Sequence, residues 1–264
     1  MASALRVPLF CILLLFIAAP DGMCQDQDPA TPIPVLNSED RAAAFPDLGG
    51  HASHDRSVNS FVLFDQLEWR SGNTGETVGW NATGWIGGDV HRLWFRTEGE
   101  SDAQRLHEAE GHLLYGRAFS RWWDLVAGVR QDVRPASPET WGAVGIQGLA
   151  PYFFEVHATA YVGASWRTQA RIEAEYEMLI TNRLILQPRA EINLSGKSDP
   201  ERGVGSGLSD ADAGVRLRYE FRRELAPYIG VQWTRKFGQT ADFASAAGEK
   251  TRGTRLVVGI RVWF

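Results

Sequence analysis

Beyond Asn59 the chain alternates apolar and polar residues with a period of two almost everywhere, and no segment keeps a helical period for long. In the stretch 152–162, Tyr152, Phe154, Val156, Ala158, Ala160 and Val162 share one face, while Phe153, Glu155, His157, Thr159 and Tyr161 share the other. In RIEAEYEML, Arg171, Glu173, Glu175 and Glu177 oppose Ile172, Ala174, Tyr176 and Met178. The same contrast recurs at Leu184–Leu194 and at Asp210–Arg222. Strands of this kind carry one apolar and one densely charged face. About twelve such runs are placed, near 59–70, 77–87, 90–100, 106–119, 122–133, 139–149, 152–163, 168–180, 183–195, 209–222, 226–238 and 252–264. Their length, roughly 10 to 14 residues, is what a tilted strand needs to cross a bilayer.

The connections sharpen this. Gly87-Gly88-Asp89, Ser120-Arg121, Ala150-Pro151, Thr181-Asn182 and Arg223-Glu224-Leu225 are short, whereas alternate connections are longer and polar, notably 195–209 and 238–252. Short turns at one end and long loops at the other predict a transmembrane antiparallel β-barrel of the bacterial outer membrane, with the turns and both termini in the periplasm. A sandwich or lipocalin would bury the charged faces in a packed core. The last stretch, RLVVGIRVWF, then reads as a lipid-facing strand that closes on the first, its aromatic terminus resembling the signal by which bacterial barrels are recognised for assembly.

Composition agrees. Mean hydropathy is -0.23 and charged residues make up 22%, which excludes a bundle of membrane helices. A net charge of -5 gives no sign of a nucleic-acid partner. Twenty-seven Gly and ten Trp suit a barrel wall with aromatics at the membrane boundary. The one continuous apolar run, VPLFCILLLFIAA, follows Arg6 and is read as a signal peptide spanning residues 1–24. Both cysteines, Cys11 and Cys24, fall within it, so the mature chain is expected to lack a disulfide framework and a thiolate cluster. Residues 25–58 read as a Pro- and Asp-rich periplasmic arm, with one helical turn after Ser38, and residues 59–264 as the barrel.

At VHRLWFRTEGE (90–100) the chain resembles the copper resistance protein B (CopB) family of outer-membrane proteins. The similarity continues through LLYGRAFSRWWDLVAGVRQDVRP, TWGAVGIQGLAPYFFEVHATAYVG, the stretch from RLILQPRAEINLSG to LAPYIGVQW, and RKFGQTADFA, covering about 61–264. The resemblance implies a contribution to copper tolerance, with copper as the bound or transported ion and periplasmic copper oxidase or copper carrier proteins as partners. Many family members carry a Met- and His-rich arm suited to Cu(I). Here the arm offers His51 and His54, with Met23 just before it.

Candidate ligands follow from chemistry and alternation. His112 with Glu110, and His157 with Glu155, share inward faces, where imidazole and carboxylate suit Cu(II). His51 and His54, beside Asp55, form a second candidate pair in the arm. Met178 is expected to face lipid. Arg92, Arg96, Glu98, Glu100, Glu108, Asp124, Arg130, Asp132, Arg189, Glu191, Arg216, Arg218 and Glu220 join the inward set, whose mixed signs predict a paired network and no wide pore. No enzymatic activity is expected, because no barrel histidine has a serine two residues away to form the pair a barrel phospholipase needs. The competing reading is a structural or adhesive barrel without a metal.

Overall fold

The computed structural model describes residues 37–44, 57–134 and 136–264. The signal-peptide segment lies outside the described residues, as does nearly all of the arm. Within the arm, α1 (Ser38–Ala44) is the expected helical turn. Asn37 and Asp40 cap it reciprocally: the Asp40 amide donates to Asn37 Oδ1 at 2.8 Å and the Asn37 amide to Asp40 Oδ2 at 3.2 Å.

The barrel is one closed antiparallel sheet. Its strands are β1 (Asn59–Gly72), β2 (Gly75–Gly87), β3 (His91–Ser101), β4 (Leu106–Ala118), β5 (Trp123–Arg134), β6 (Glu139–Ala150), β7 (Phe154–Val162), β8 (Thr168–Glu175), β9 (Met178–Leu179), β10 (Leu184–Ser195), β11 (Gly207–Tyr219), β12 (Leu225–Lys236) and β13 (Arg252–Trp263). Consecutive strands pair along the chain except that β8 skips β9 to pair with β10, β13 closes on β1, and Val62 and Phe264 complete that seam by exchanging backbone bonds of 3.1 and 2.9 Å. Twelve staves result, because β8 and β9 both pair with β10 and form one stave interrupted at Tyr176-Glu177. The interruption lies opposite Pro188, which has no N–H to give the ladder; its carbonyl accepts from the Tyr176 amide at 3.1 Å.

Three features depart from plain alternation. The first connection at the loop end is tight, with Gly72 paired to Gly75 across Asn73-Thr74, so the length contrast between the two ends is carried chiefly by 196–206 and 237–251. The second of these contains a helix, α2 (Gly238–Ala246). The third is a bulge in β1, where the register slips between Phe64 and Gln66 against β2. Asp65 and Gln66 consequently both point inward: Asp65 accepts from Arg261 Nε at 2.9 Å and Gln66 from Arg70 at 3.3 Å.

Burial separates the two faces. Leu113, Tyr115, Val144, Leu256 and Val258 stand exposed on the outer wall, while Glu68, Arg130, Arg216 and Arg218 are buried inside. The inside is not wholly polar. Leu114, Val126, Trp141, Ala143 and Tyr161 form an apolar cluster against which Trp94 packs. The tryptophans divide accordingly: Trp69 and Trp233 lie on the outer wall, but Trp85, Trp94 and Trp263 form an aromatic row with Phe61 at the turn end of the lumen. Glycine abundance has a packing cause. Trp80 lies across Gly99 and Phe95 across Gly84, each directly opposite in the β2–β3 ladder, so close that a Cβ on either glycine would overlap the ring.

Candidate functional site

The inward faces of β4 and β7 meet across the lumen. Alternation places Glu110, His112 and Leu114 inward on β4, and Glu155, His157, Thr159 and Tyr161 inward on β7. Glu110, His112, Glu155 and His157, all four sequence candidates on the barrel, line one cavity of about 100 Å³. That volume holds an ion with a few waters. Asp65, Thr83, Arg96, Arg171 and Arg261 line it as well.

The two histidine pairs differ. His112 Nε2 lies 2.8 Å from Glu110 Oε1, and both side chains are buried. The His112 ring also meets Tyr161 edge to face, with centroids 5.8 Å apart. His157 Nε2 lies 3.4 Å from Glu155 Oε1, and the Glu155 side chain is 59% exposed. The first pair is therefore locked and the second loose.

Register explains the lock. Glu98 stands directly opposite Glu110, Glu110 opposite Asp132, and Glu173 opposite Glu191. Like charges so placed repel unless a cation bridges them. Arg171 supplies one, reaching Glu98 at 2.7 Å, Glu110 at 2.6 Å and Glu191 at 3.3 Å. Arg189 supplies another between Glu173 at 3.1 Å and Glu191 at 3.2 Å. Glu110 is thus already committed to a guanidinium, whereas Glu155 has only His157 as an ion-pair partner among the described residues. Opposite Glu155 stands Glu175, which accepts from Gln187 at 2.5 Å rather than from a cation.

The cavity's chemistry suits an ion with oxygen and nitrogen ligands. Thr83 Oγ1 and Arg96 Nε, both buried, bond to no protein group, as befits a polar site that holds solvent or a hydrated ion. Among the described residues no three His, Cys, Asp or Glu side chains already stand close enough together to hold a metal. Met178 is exposed on the outer wall, and so offers the lumen no soft ligand. His51 and His54 lie outside the described residues.

At the loop end lies a second charged cluster, built on the connections between strands. The loop 196–206 forms a small hairpin through Asp199 and Val204. Its Arg202 bonds Glu139 at 3.0 Å, and Arg167 from the β7–β8 connection pairs with both Glu139 and Asp199. Gly205 presses against α2, its amide donating to Thr240 Oγ1 at 2.8 Å, and a Cβ at Gly205 would overlap Gln239. Beside this lid Asp132 accepts from Trp141 Nε1 at 2.9 Å, and Arg130 lies over Tyr161 at 4.1 Å.

Sequence reasoning missed Asp65 as a cavity residue because parity counted from Glu68 and Arg70 turns it outward, and only the β1 bulge brings it in; Arg261 faces inward by the parity of β13, but its meeting with Asp65 depends on that same bulge. The lid pairing was invisible too, since Arg167, Asp199 and Arg202 lie in loops with no periodicity.

A closed twelve-stave antiparallel barrel with an apolar outer wall and a charged, self-paired lumen defines a transmembrane barrel of the outer-membrane type. The solved NanC porin shares this fold, with a TM-score of 0.52 at 10% identity over 77% of this chain and 99% of that one. The chain belongs to the copper resistance protein B family: residues 58–264 match the family described as "Copper resistance protein B precursor (CopB)". Among its relatives are the copper resistance protein B homolog of Pseudomonas syringae pv. tomato and the copper resistance protein B of Escherichia coli. Each is 50% identical over 234 residues, which cover 89% of this chain and 80% and 79% of those proteins respectively.

Proposed function

We propose that this outer-membrane barrel contributes to copper tolerance by binding Cu(II) inside its lumen, with no enzymatic step. The observation that carries this reading is the gathering of His112, Glu110, His157 and Glu155 around one polar cavity. Imidazole and carboxylate are ligands that Cu(II) accepts, and the loose Glu155–His157 pair is the first to receive the ion. His112 follows only when Glu110 is released from Arg171, so occupancy of the deeper pair is coupled to rearrangement of the guanidinium network. The lid at the loop end and the aromatic row at the turn end favour retention and gated passage over free conduction. In this reading the short turns and both termini face the periplasm, where a copper oxidase or carrier would exchange the ion, and residues 1–24 direct export.

The test is titration of Cu(II) into the full mature chain refolded in detergent, followed by calorimetry and electron paramagnetic resonance. Replacing His112 and His157 together by alanine is expected to weaken binding and remove the nitrogen hyperfine signature while leaving the barrel folded. If replacement of His51 and His54 weakens binding instead, the arm is the site. Unchanged affinity in both double variants refutes copper binding by either pair.

A further inference from the structure

We propose that the outer wall of β11–β13 at the loop end binds a phosphate-bearing lipid. Arg235 and Arg252 stand directly opposite each other in the β12–β13 ladder. Both point outward, on the same face as the exposed Trp233 and Leu256. Among the described residues neither makes an ion pair with a carboxylate; Arg235 instead lies over the Phe237 ring at 5.0 Å. Two like charges held opposite each other are destabilising on their own, and an anion between them reverses the sign. The neighbouring Lys236 is already occupied by Glu249 at 2.9 Å.

The surroundings specify the anion's carrier. Two adjoining hollows of about 470 and 430 Å³ share Arg235, Phe237 and Arg252. The second runs down the wall over Ala211 and Ala213, which pair with Arg235 and Trp233 and leave a shallow apolar trough beside the indole. Tryptophan settles where hydrocarbon meets headgroups, so Trp233 sets the arginines at headgroup level. Arginine presents a planar fork that phosphate oxygens match. A phosphate between the guanidinium groups with an acyl chain in the trough uses both halves of the site; free phosphate uses only one. With the loop end outside, as proposed above, the ligand is a phosphorylated lipid of the outer leaflet.

The experiment is native mass spectrometry of the full barrel in detergent, which does not depend on membrane orientation or copper and so fails separately from those readings. Diphosphoryl lipid A, its dephosphorylated form and inorganic phosphate are offered in turn. Wild type is expected to retain the diphosphoryl form. The pair Arg235→Ala with Arg252→Ala is expected to retain it about tenfold less, the loss of about one charge-assisted hydrogen bond. Arg235→Lys, which keeps charge and fold, is expected to fall in between. Equal retention by wild type and the double variant overturns the proposal, as does equal retention of dephosphorylated lipid. Inorganic phosphate binding as tightly as the lipid would reduce the site to a small-anion site and also overturn it.

Discussion

Glu68 is the sharpest place to probe the lumen. Its side chain is 0% exposed and accepts from Arg216 Nε at 3.0 Å, Arg216 Nη2 at 2.9 Å, Arg70 Nε at 2.8 Å and Tyr228 Oη at 2.9 Å. In Glu68→Leu the two arginines fare differently. Arg70 keeps Glu100 at 2.6 Å. Arg216, whose side chain is 5% exposed, has Glu68 as its one ion-pair partner among the described residues and is left buried and uncompensated. Removing one partner of a buried pair costs about 3–5 kcal/mol, so the variant is expected to lose that much unfolding free energy. Urea unfolding of the barrel refolded into vesicles, followed by tryptophan fluorescence, measures it. The double variant Glu68→Leu with Arg216→Leu removes the stranded charge and is expected to recover about 2 kcal/mol or more of the loss. A single-variant cost below about 1 kcal/mol, the level of a solvent-screened pair, would refute the description of Glu68 and Arg216 as a buried, charge-locked pair.

Opening the lid is expected to change conduction rather than stability. Replacing Arg167 and Arg202 together by alanine frees the 196–206 hairpin from Glu139, and single-channel conductance in planar bilayers should rise; wild-type conductance in that variant would mean the hairpin does not obstruct the mouth. The β3–β4 turn makes a pH prediction. The Asp102 carboxyl is held down to about 2, first by the Gln104 amide, then by the Arg105 amide and the His107 ring. Because the folded value lies below the unfolded one of about 3.9, this group stabilises the turn above that pH and the contribution disappears as pH falls through about 2. Carboxyl carbon NMR titration should place the Asp102 midpoint near 2; a midpoint in the ordinary range would mean the amides do not bond it.

The staves were legible because a membrane-spanning strand must repeat one rule for its full length: apolar out, polar in. Glu110, His112, Glu155 and His157 were placed inward by parity alone, and their convergence on one cavity follows from barrel closure. Parity says nothing about partners. That Arg171 rather than His112 dominates Glu110 depends on which staves face each other across the lumen, a distance no local pattern encodes. The apolar lumen cluster around Trp141 escaped for a related reason. Inward apolar residues such as Leu114 and Val126 read locally as lapses in a charged face, and only the fold shows that they meet. The tryptophans were expected at the boundary, and those of the inner row instead fill the turn end of the lumen.

The β1 bulge bears on how this interior tolerates change. Leu63 faces in, Phe64 out, Gln66 in and Leu67 out, so excising Asp65 would restore a perfect two-residue rhythm without turning any other side chain to the wrong side. Elsewhere in a stave a one-residue excision inverts everything beyond it. Asp65 is therefore a supernumerary residue that the wall does not need. What it provides is a carboxylate at the cavity beside Arg261, delivered without widening the circumference by another hairpin. At this point the perimeter of the cylinder and the inventory of its interior are set independently.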